Sequence, residues 1–240
     1  MDYFGLIYEM HNAKSKQYIV ASIGEWNKTN FYNHLSVLAG EWFYVNTPEQ
    51  LLMKLEESSP EYIFFPHWRW IVPKNIVDKF ECICFHMTDV PYGRGGSPLQ
   101  NLIVRGHKKT ILTALKMEED VDTGPVYMKR PLDLTGAAHE IYERASLLSC
   151  KMIEEIAKKK PQPIRQQGKP TIFKRRNPGE SLIPDGLNLD EVYDYIRMLD
   201  APGYPKAFIV SGNYRLEFDQ AKYSEEGLTA NVNLIKINKD

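Results

Sequence analysis

Short apolar, β-branched runs alternate with polar, helix-compatible stretches over roughly the first 90 residues. Gln17 to Ile23 (QYIVASI) is such a run, closed by Gly24, and reads as a buried strand. Thr29 to Leu38 follows as a helix and Trp42 to Val45 as a second strand. Thr47 can cap the next helix, with Pro48 at its first position, Gln50 completing a capping box and Leu51, Leu52 and Leu55 as its apolar stripe. Tyr62 to Phe65 is a strand expected to stop at Pro66, and Cys82 to Phe85 is a strand that runs into His86. This alternation implies a mostly parallel sheet with helices on its faces, an α/β, Rossmann-like arrangement.

Pro91, Gly93, Gly95 and Gly96 crowd into residues 86–98 and mark a loop. Leu99 to Arg105 continues as a helix, Thr110 to Lys116 as a strand, and Val126 to Pro131 as its partner across the acidic turn 118–124. Gly136 to Lys160 is a long amphipathic helix with Ile141, Ala145, Leu148, Met152 and Ile156 at helical spacing. Its basic end complements the helix dipole, and Pro161 and Pro163 stop it. Beyond about residue 165 prolines interrupt the chain. A helix, Leu189 to Asp200, and strands at Ala207 to Val210, Tyr214 to Phe218 and Leu228 to Ile237 suggest a small α+β appendage. The division expected is 1–165 for a catalytic domain and 166–240 for a small C-terminal subdomain.

Composition narrows the class. The 43% hydrophobic and 25% charged residues of this 240-residue chain are those of a globular protein with a full core. A net charge of −1 gives no bulk attraction to nucleic acid. No apolar run nears the roughly 20 residues that span a bilayer. Met1 to Gly5 lacks the basic start of a secretory signal, and Cys82, Cys84 and Cys150 make no disulfide framework, so a cytoplasmic protein is expected. Cys82 and Cys84 share a strand face, but without a second cysteine pair no metal site is expected.

Chemistry points to the ends of strands, where open α/β sheets keep their crevices. His86 lies at such an end and Asp122 in the glycine-closed turn after the next strand, an acid/base pair on neighbouring strand-end loops. Arg94 in the glycine loop can meet an anion, and Gly95 and Gly96 let backbone approach a ligand.

The stretch FHMTDVPYGRGGSPLQNLIVRG, followed by EEDVDTGPVYMKRPL, resembles the signature of the folate-dependent formyltransferases. That family includes methionyl-tRNA formyltransferase, glycinamide ribonucleotide transformylase and the sugar N-formyltransferases. His86 matches the family's histidine, Pro91, Gly95, Pro98 and Leu99 its loop, and Asp122-Thr123-Gly124 its Asp-x-Gly. A third block, Arg175-Arg176-Asn177-Pro178-Gly179-Glu180-Ser181 with Pro202-Gly203-Tyr204-Pro205, resembles the segment after the catalytic domain in the sugar enzymes. The resemblance covers roughly residues 60 to 220.

The resemblance implies transfer of a formyl group from 10-formyltetrahydrofolate, without a metal, to the amine of a nucleotide-linked amino sugar of the pseudaminic acid type in surface-glycan synthesis. The partner would be that nucleotide sugar, with no nucleic acid and no membrane, and a homodimer is compatible with it. Methionyl-tRNA or another amine, or a relative that binds without turnover, are the alternatives. Asp122, through a water, would take the amine's proton, and His86 would stabilise the oxyanion. Cys84 stands where the family has an asparagine donor, so Asn101 or Gln100 would replace it. Trp68, Arg69, Trp70, Ile71 and Val72, facing Glu119, Asp120 and Val121, would form the pterin slot. Trp26, Asn27, Thr88, Arg94, Gly95 and Gly96 would meet the acceptor.

Overall fold

The computed structural model describes residues 15–237, so the reading of Met1 to Gly5 lies outside the described residues. The central sheet has six strands in the order β2-β1-β3-β4-β6-β7. They are β1 (Gln17–Ser22), β2 (Glu41–Val45), β3 (Tyr62–His67), β4 (Cys82–His86), β6 (Lys109–Lys116) and β7 (Val126–Asp133). The first four are parallel. The last two form an antiparallel hairpin on the β4 edge. The fold is therefore the expected α/β one, with a mostly parallel sheet.

Alternation along the strands fills both faces. Ile19, Ala21, Ile63, Phe65 and Cys82 point to one side, against Leu51 of α2 (Pro48–Glu57) and Ile76 of α3 (Lys74–Lys79). Val20, Phe64, Ile83 and Phe85 point to the other, against Leu99 and Leu102 of α4 (Pro98–Val104) and Ile141 and Ile153 of α5 (Ala138–Lys159). Each such side chain contributes roughly 1.5–3 kcal/mol by leaving water. Among the described residues no helix is long and apolar enough to cross a membrane.

Two local expectations change, and one helix was not foreseen. The helix expected from Thr29 to Leu38 is instead α1 (Glu25–Asn30), continued by a single π-helical turn, Phe31–Leu35. Strand β3 does not stop at Pro66 but runs to His67. Proline is tolerated there because the ladder to β4 has already ended at Phe65 and the register to β1 shifts beside it. The short α3 carried too few residues to show a period.

A three-stranded antiparallel sheet follows: β9 (Ala207–Ser211), β10 (Tyr214–Ser224) and β11 (Gly227–Lys236) in the order β11-β10-β9. It packs on α6 (Leu189–Arg197), which ends before the expected Asp200. Asn188 caps α6, accepting the Glu191 N–H at 3.0 Å. Arg197 is buried and donates to the Leu134 and Gly136 carbonyls at 2.6 and 2.8 Å, tying α6 to the end of β7. The last two strands, β5 (Arg94–Gly95) and β8 (Ile172–Phe173), are two-residue pieces paired in parallel.

Candidate active site

His86 closes β4, and its ring is held from both edges. Nε2 lies 2.7 Å from the Gly93 carbonyl oxygen, which only accepts, so that nitrogen carries hydrogen. Nδ1 lies 3.4 Å from Asp122 Oδ2. The Gly95 N–H donates to the same Oδ2 at 2.9 Å. Both side chains are about nine-tenths buried, at 9% and 11% exposure, so their interaction is only weakly screened by water.

The two residues do not come from neighbouring strand ends as expected. Strand β6 is antiparallel to β4, so its C-terminal end lies beside the start of β4, where the Met117 N–H meets the Cys82 carbonyl at 2.8 Å. The turn after β6 must therefore pass back over the face carrying Cys84 and His86 to deliver Asp122. Asp122 holds a left-handed backbone, φ 57°, within that turn. Gly124 has no alternative: a Cβ there would run into the Lys116 carbonyl.

Cys84 lies between them, on the His86 face of β4 and half-buried. Burial, and then the Asp122 carboxylate, push its thiol well above the ordinary range, so it stays protonated. Neither proposed replacement donor reaches the site. The Asn101 amide donates to the Gly96, Ser97 and Lys174 carbonyls at 2.9–3.1 Å, and its oxygen accepts from Arg105 at 2.8 Å. The Gln100 amide donates to Tyr142 Oη and the Met198 carbonyl. Both amides are thus engaged by protein partners.

One exposed ion pair links the two segments expected to form the slot. Lys74, just after Trp68 to Val72, pairs with Glu119 at 3.4 Å and ties that segment to the acidic turn. Trp68 packs on Phe65 and meets Trp70 edge-on at 4.7 Å, with Arg69 over the Trp70 ring. Val72 is buried, whereas Ile71 and Val121 project into solvent at 83% and 58% exposure and Asp120 is exposed.

The acceptor residues are only partly placed as expected. Thr88 is fully buried, with its hydroxyl on the Gly93 carbonyl, and the buried Asn27 donates to the Ile23 carbonyl at 2.7 Å. Arg94 donates twice to Gln166 Oε1, at 3.1 and 2.8 Å. Gly95 is held by Phe173, whose carbonyl leaves no room for a Cβ, and Gly96 is closed off by Arg175. Trp26 is half-buried, stacks on Tyr142 and packs beside His67, and its indole N–H has no partner among the described residues. Sequence reasoning gave no signal for Gln166, which sits in a proline-punctuated stretch without periodicity.

Residues 41–151 match the family described as Formyl transferase, and residues 178–235 that described as Methionyl-tRNA formyltransferase, C-terminal domain. The solved methionyl-tRNA formyltransferase from Clostridium thermocellum is 46% identical, with a TM-score of 0.88 over 92% of this chain and 99% of that one. The chain belongs to the formyltransferase family. The curated methionyl-tRNA formyltransferase of Clostridium botulinum is 30% identical over 80% of the chain. The chain spans 64% of that relative's length and 56% of another of the same name.

These findings overturn the amino-sugar expectation. The 4-N formyltransferase from Francisella tularensis is only 16% identical, at a TM-score of 0.65, and shares the fold alone. The high-identity relatives bear the methionyl-tRNA name. The nucleotide-sugar partner, the surface-glycan context and the exclusion of nucleic acid are corrected accordingly. What misled the sequence reading was the likeness of residues 175–181 and 202–205 to the segment that follows the catalytic domain in the sugar enzymes, with a net charge of −1 set against nucleic acid.

Proposed function

We propose that the chain transfers a formyl group from 10-formyltetrahydrofolate to the α-amine of methionyl-tRNA. The observation that carries the reaction is the His86–Asp122 pair, 3.4 Å apart and about nine-tenths buried. The acceptor rests on the names of the relatives. The slot fits a flat, partly apolar ring, because Ile71 and Val121 leave apolar surface in water on its two segments. Trp68 to Val72 and Glu119 to Asp122 would hold that ring, and the bound folate would supply the formyl carbonyl.

The chain's own residues then divide the work. An ammonium cannot attack a carbonyl, so the acceptor amine must lose a proton; Asp122, a buried carboxylate, would accept it as the new C–N bond forms, and that proton would go to the tetrahydrofolate nitrogen as its bond to the formyl carbon breaks. His86 has its Nε2 hydrogen fixed on Gly93, so only a ring protonated on both nitrogens can donate from Nδ1 to a developing oxyanion. The neutral Cys84 thiol is a weak donor beneath them. For the nucleic acid, exposed Lys174 and Arg175 lie against the glycine loop and provide local positive charge that the chain total conceals.

The test is formation of formylmethionyl-tRNA from radiolabelled 10-formyltetrahydrofolate. Turnover that collapses in His86→Ala, and weakens with salt less steeply in Lys174→Ala/Arg175→Ala, supports the reading. Folate binding with no formylated tRNA, but turnover of another amine, would refute the acceptor assignment.

A further inference from the structure

We propose that Gln166 is a positioning residue that aims Asp122 at His86, and that Arg94 anchors it. The inference deepens the reading of Asp122 as the site's base.

Residues 164–173 form a strap between the two loops that build the site. At one end Ile164 exchanges both backbone hydrogen bonds with Val126, at 2.7 and 2.9 Å, and Arg165 grips the Glu118 carboxylate at 2.9 and 3.0 Å. At the other end β8 pairs with β5, where the Thr171 and Phe173 carbonyls accept from Arg94 and Gly96 N–H at 3.0 and 3.1 Å. Between these anchors, Gln166 Nε2 donates to the Asp122 carbonyl at 2.9 Å and to the Gly124 carbonyl at 2.8 Å. Its Oε1 accepts twice from Arg94. One amide thus satisfies two carbonyls of the acidic turn while fastened to the glycine loop.

That turn needs an outside hold. Asp122 adopts the left-handed conformation, unfavourable for a residue with a Cβ. Its carboxylate must still meet both the Gly95 N–H and His86 Nδ1. A side chain that bonds the backbone on both sides of Thr123 fixes the φ/ψ pair from which the carboxylate projects. Arg94 then sets where Gln166 stands relative to Gly95, the other partner of the same carboxylate. Misplacing a reacting group by about 1 Å can cost on the order of a hundredfold in rate.

The test uses Gln166→Leu, which keeps bulk and removes both bonding directions, and Arg94→Met, which removes only the anchor. Two readouts are taken on the full chain. The first is the side-chain ¹⁵N spectrum of His86 without folate or acceptor, with Asp122→Asn as reference. In Gln166→Leu the His86 resonances move toward those of Asp122→Asn, and in Arg94→Met they move part of the way. The second is steady-state formyl transfer: kcat falls about tenfold to a hundredfold in Gln166→Leu, and by less in Arg94→Met, with KM for folate changed less than about threefold. An unaltered His86 spectrum in a folded Gln166→Leu chain overturns the proposal. If Gln166→Leu does not fold, Arg94→Met decides by the same spectrum. The spectrum requires no substrate, so it stands or falls apart from the acceptor assignment.

Discussion

Replacing Asp122 by asparagine isolates its chemistry from its architecture. The residue sits at φ 57°, a region that asparagine and aspartate visit more readily than other residues with a Cβ. Asparagine Oδ1 can still accept the Gly95 N–H that Asp122 Oδ2 now takes at 2.9 Å. Gln166 bonds the backbone carbonyl and is indifferent to the change. What disappears is the negative charge 3.4 Å from His86 and the capacity to accept a proton. General-base catalysis is worth about 10²–10⁴-fold, so kcat/KM should fall at least about a hundredfold, about 3 kcal/mol in transition-state stabilisation. Stability should change by no more than about 1 kcal/mol, because one charged acceptor becomes a neutral one. Asp122→Ala is the instructive contrast: it also loses the Gly95 bond and left-handed tolerance, adding a stability cost of about 1–2 kcal/mol. The assay is single-turnover formyl transfer at saturating folate, with thermal melts alongside. Asp122→Asn retaining kcat/KM within about tenfold of the parent would refute the assignment of Asp122 as base.

Cys84→Asn would put an amide where a neutral thiol now sits beneath the His86–Asp122 pair. Rate should rise, by up to about a hundredfold if the amide reaches the oxyanion, and unchanged single-turnover kinetics would place the oxyanion elsewhere. Burial pushes the thiols of Cys82 and Cys150 up to about 12 and raises that of Cys84 as well, so at neutral pH a maleimide should leave all three unmodified in the folded chain, read by intact mass. His67 is pushed down to about 4 from 6.5, by burial first and the Arg69 guanidinium second. The folded chain keeps it neutral while the unfolded chain protonates it, so stability is full above about pH 6.5. It is lost as pH falls toward 4, by at most about 3 kcal/mol, and His67→Gln should flatten that part of a urea-denaturation profile.

The elements of the α/β half were legible because their signals are local: β-branched runs closed by glycine, and the Thr47-Pro48 helix start. Thr47 does accept the Gln50 N–H, at 3.3 Å, while the Gln50 side chain accepts from the Asn46 N–H at 3.0 Å. His86 and Asp122 were legible as residue types in loops. How their side chains meet was not, because it depends on the antiparallel direction of β6, a tertiary property. Asn101, Arg94 and Thr88 share one feature: each has polar atoms engaged by protein partners. Polar side chains near a site were read as facing ligand, but a glycine-rich loop exposes many backbone carbonyls that nearby amides and hydroxyls must satisfy first. The acceptor was misjudged because short motifs shared by the whole family, and a C-terminal block read as sugar-enzyme-like, do not distinguish its branches.

The direction of β6 also explains why the site needs so much support outside its two reacting side chains. In a wholly parallel sheet the loops after β4 and its neighbour would emerge side by side, and a base could be presented by the strand end itself. Here the turn after β6 starts at the opposite end and must cross the sheet face, so no ladder hydrogen bond fixes Asp122. Its position is determined instead by a left-handed backbone, a glycine pressed on Lys116, and the amide of Gln166. Arg165 and Ile164 hold the same strap to the same turn from the other side. Precision at His86 therefore resides in residues 164–173, distant in sequence from both catalytic candidates, and a substitution in the strap should change the rate of the reaction before it changes the fold.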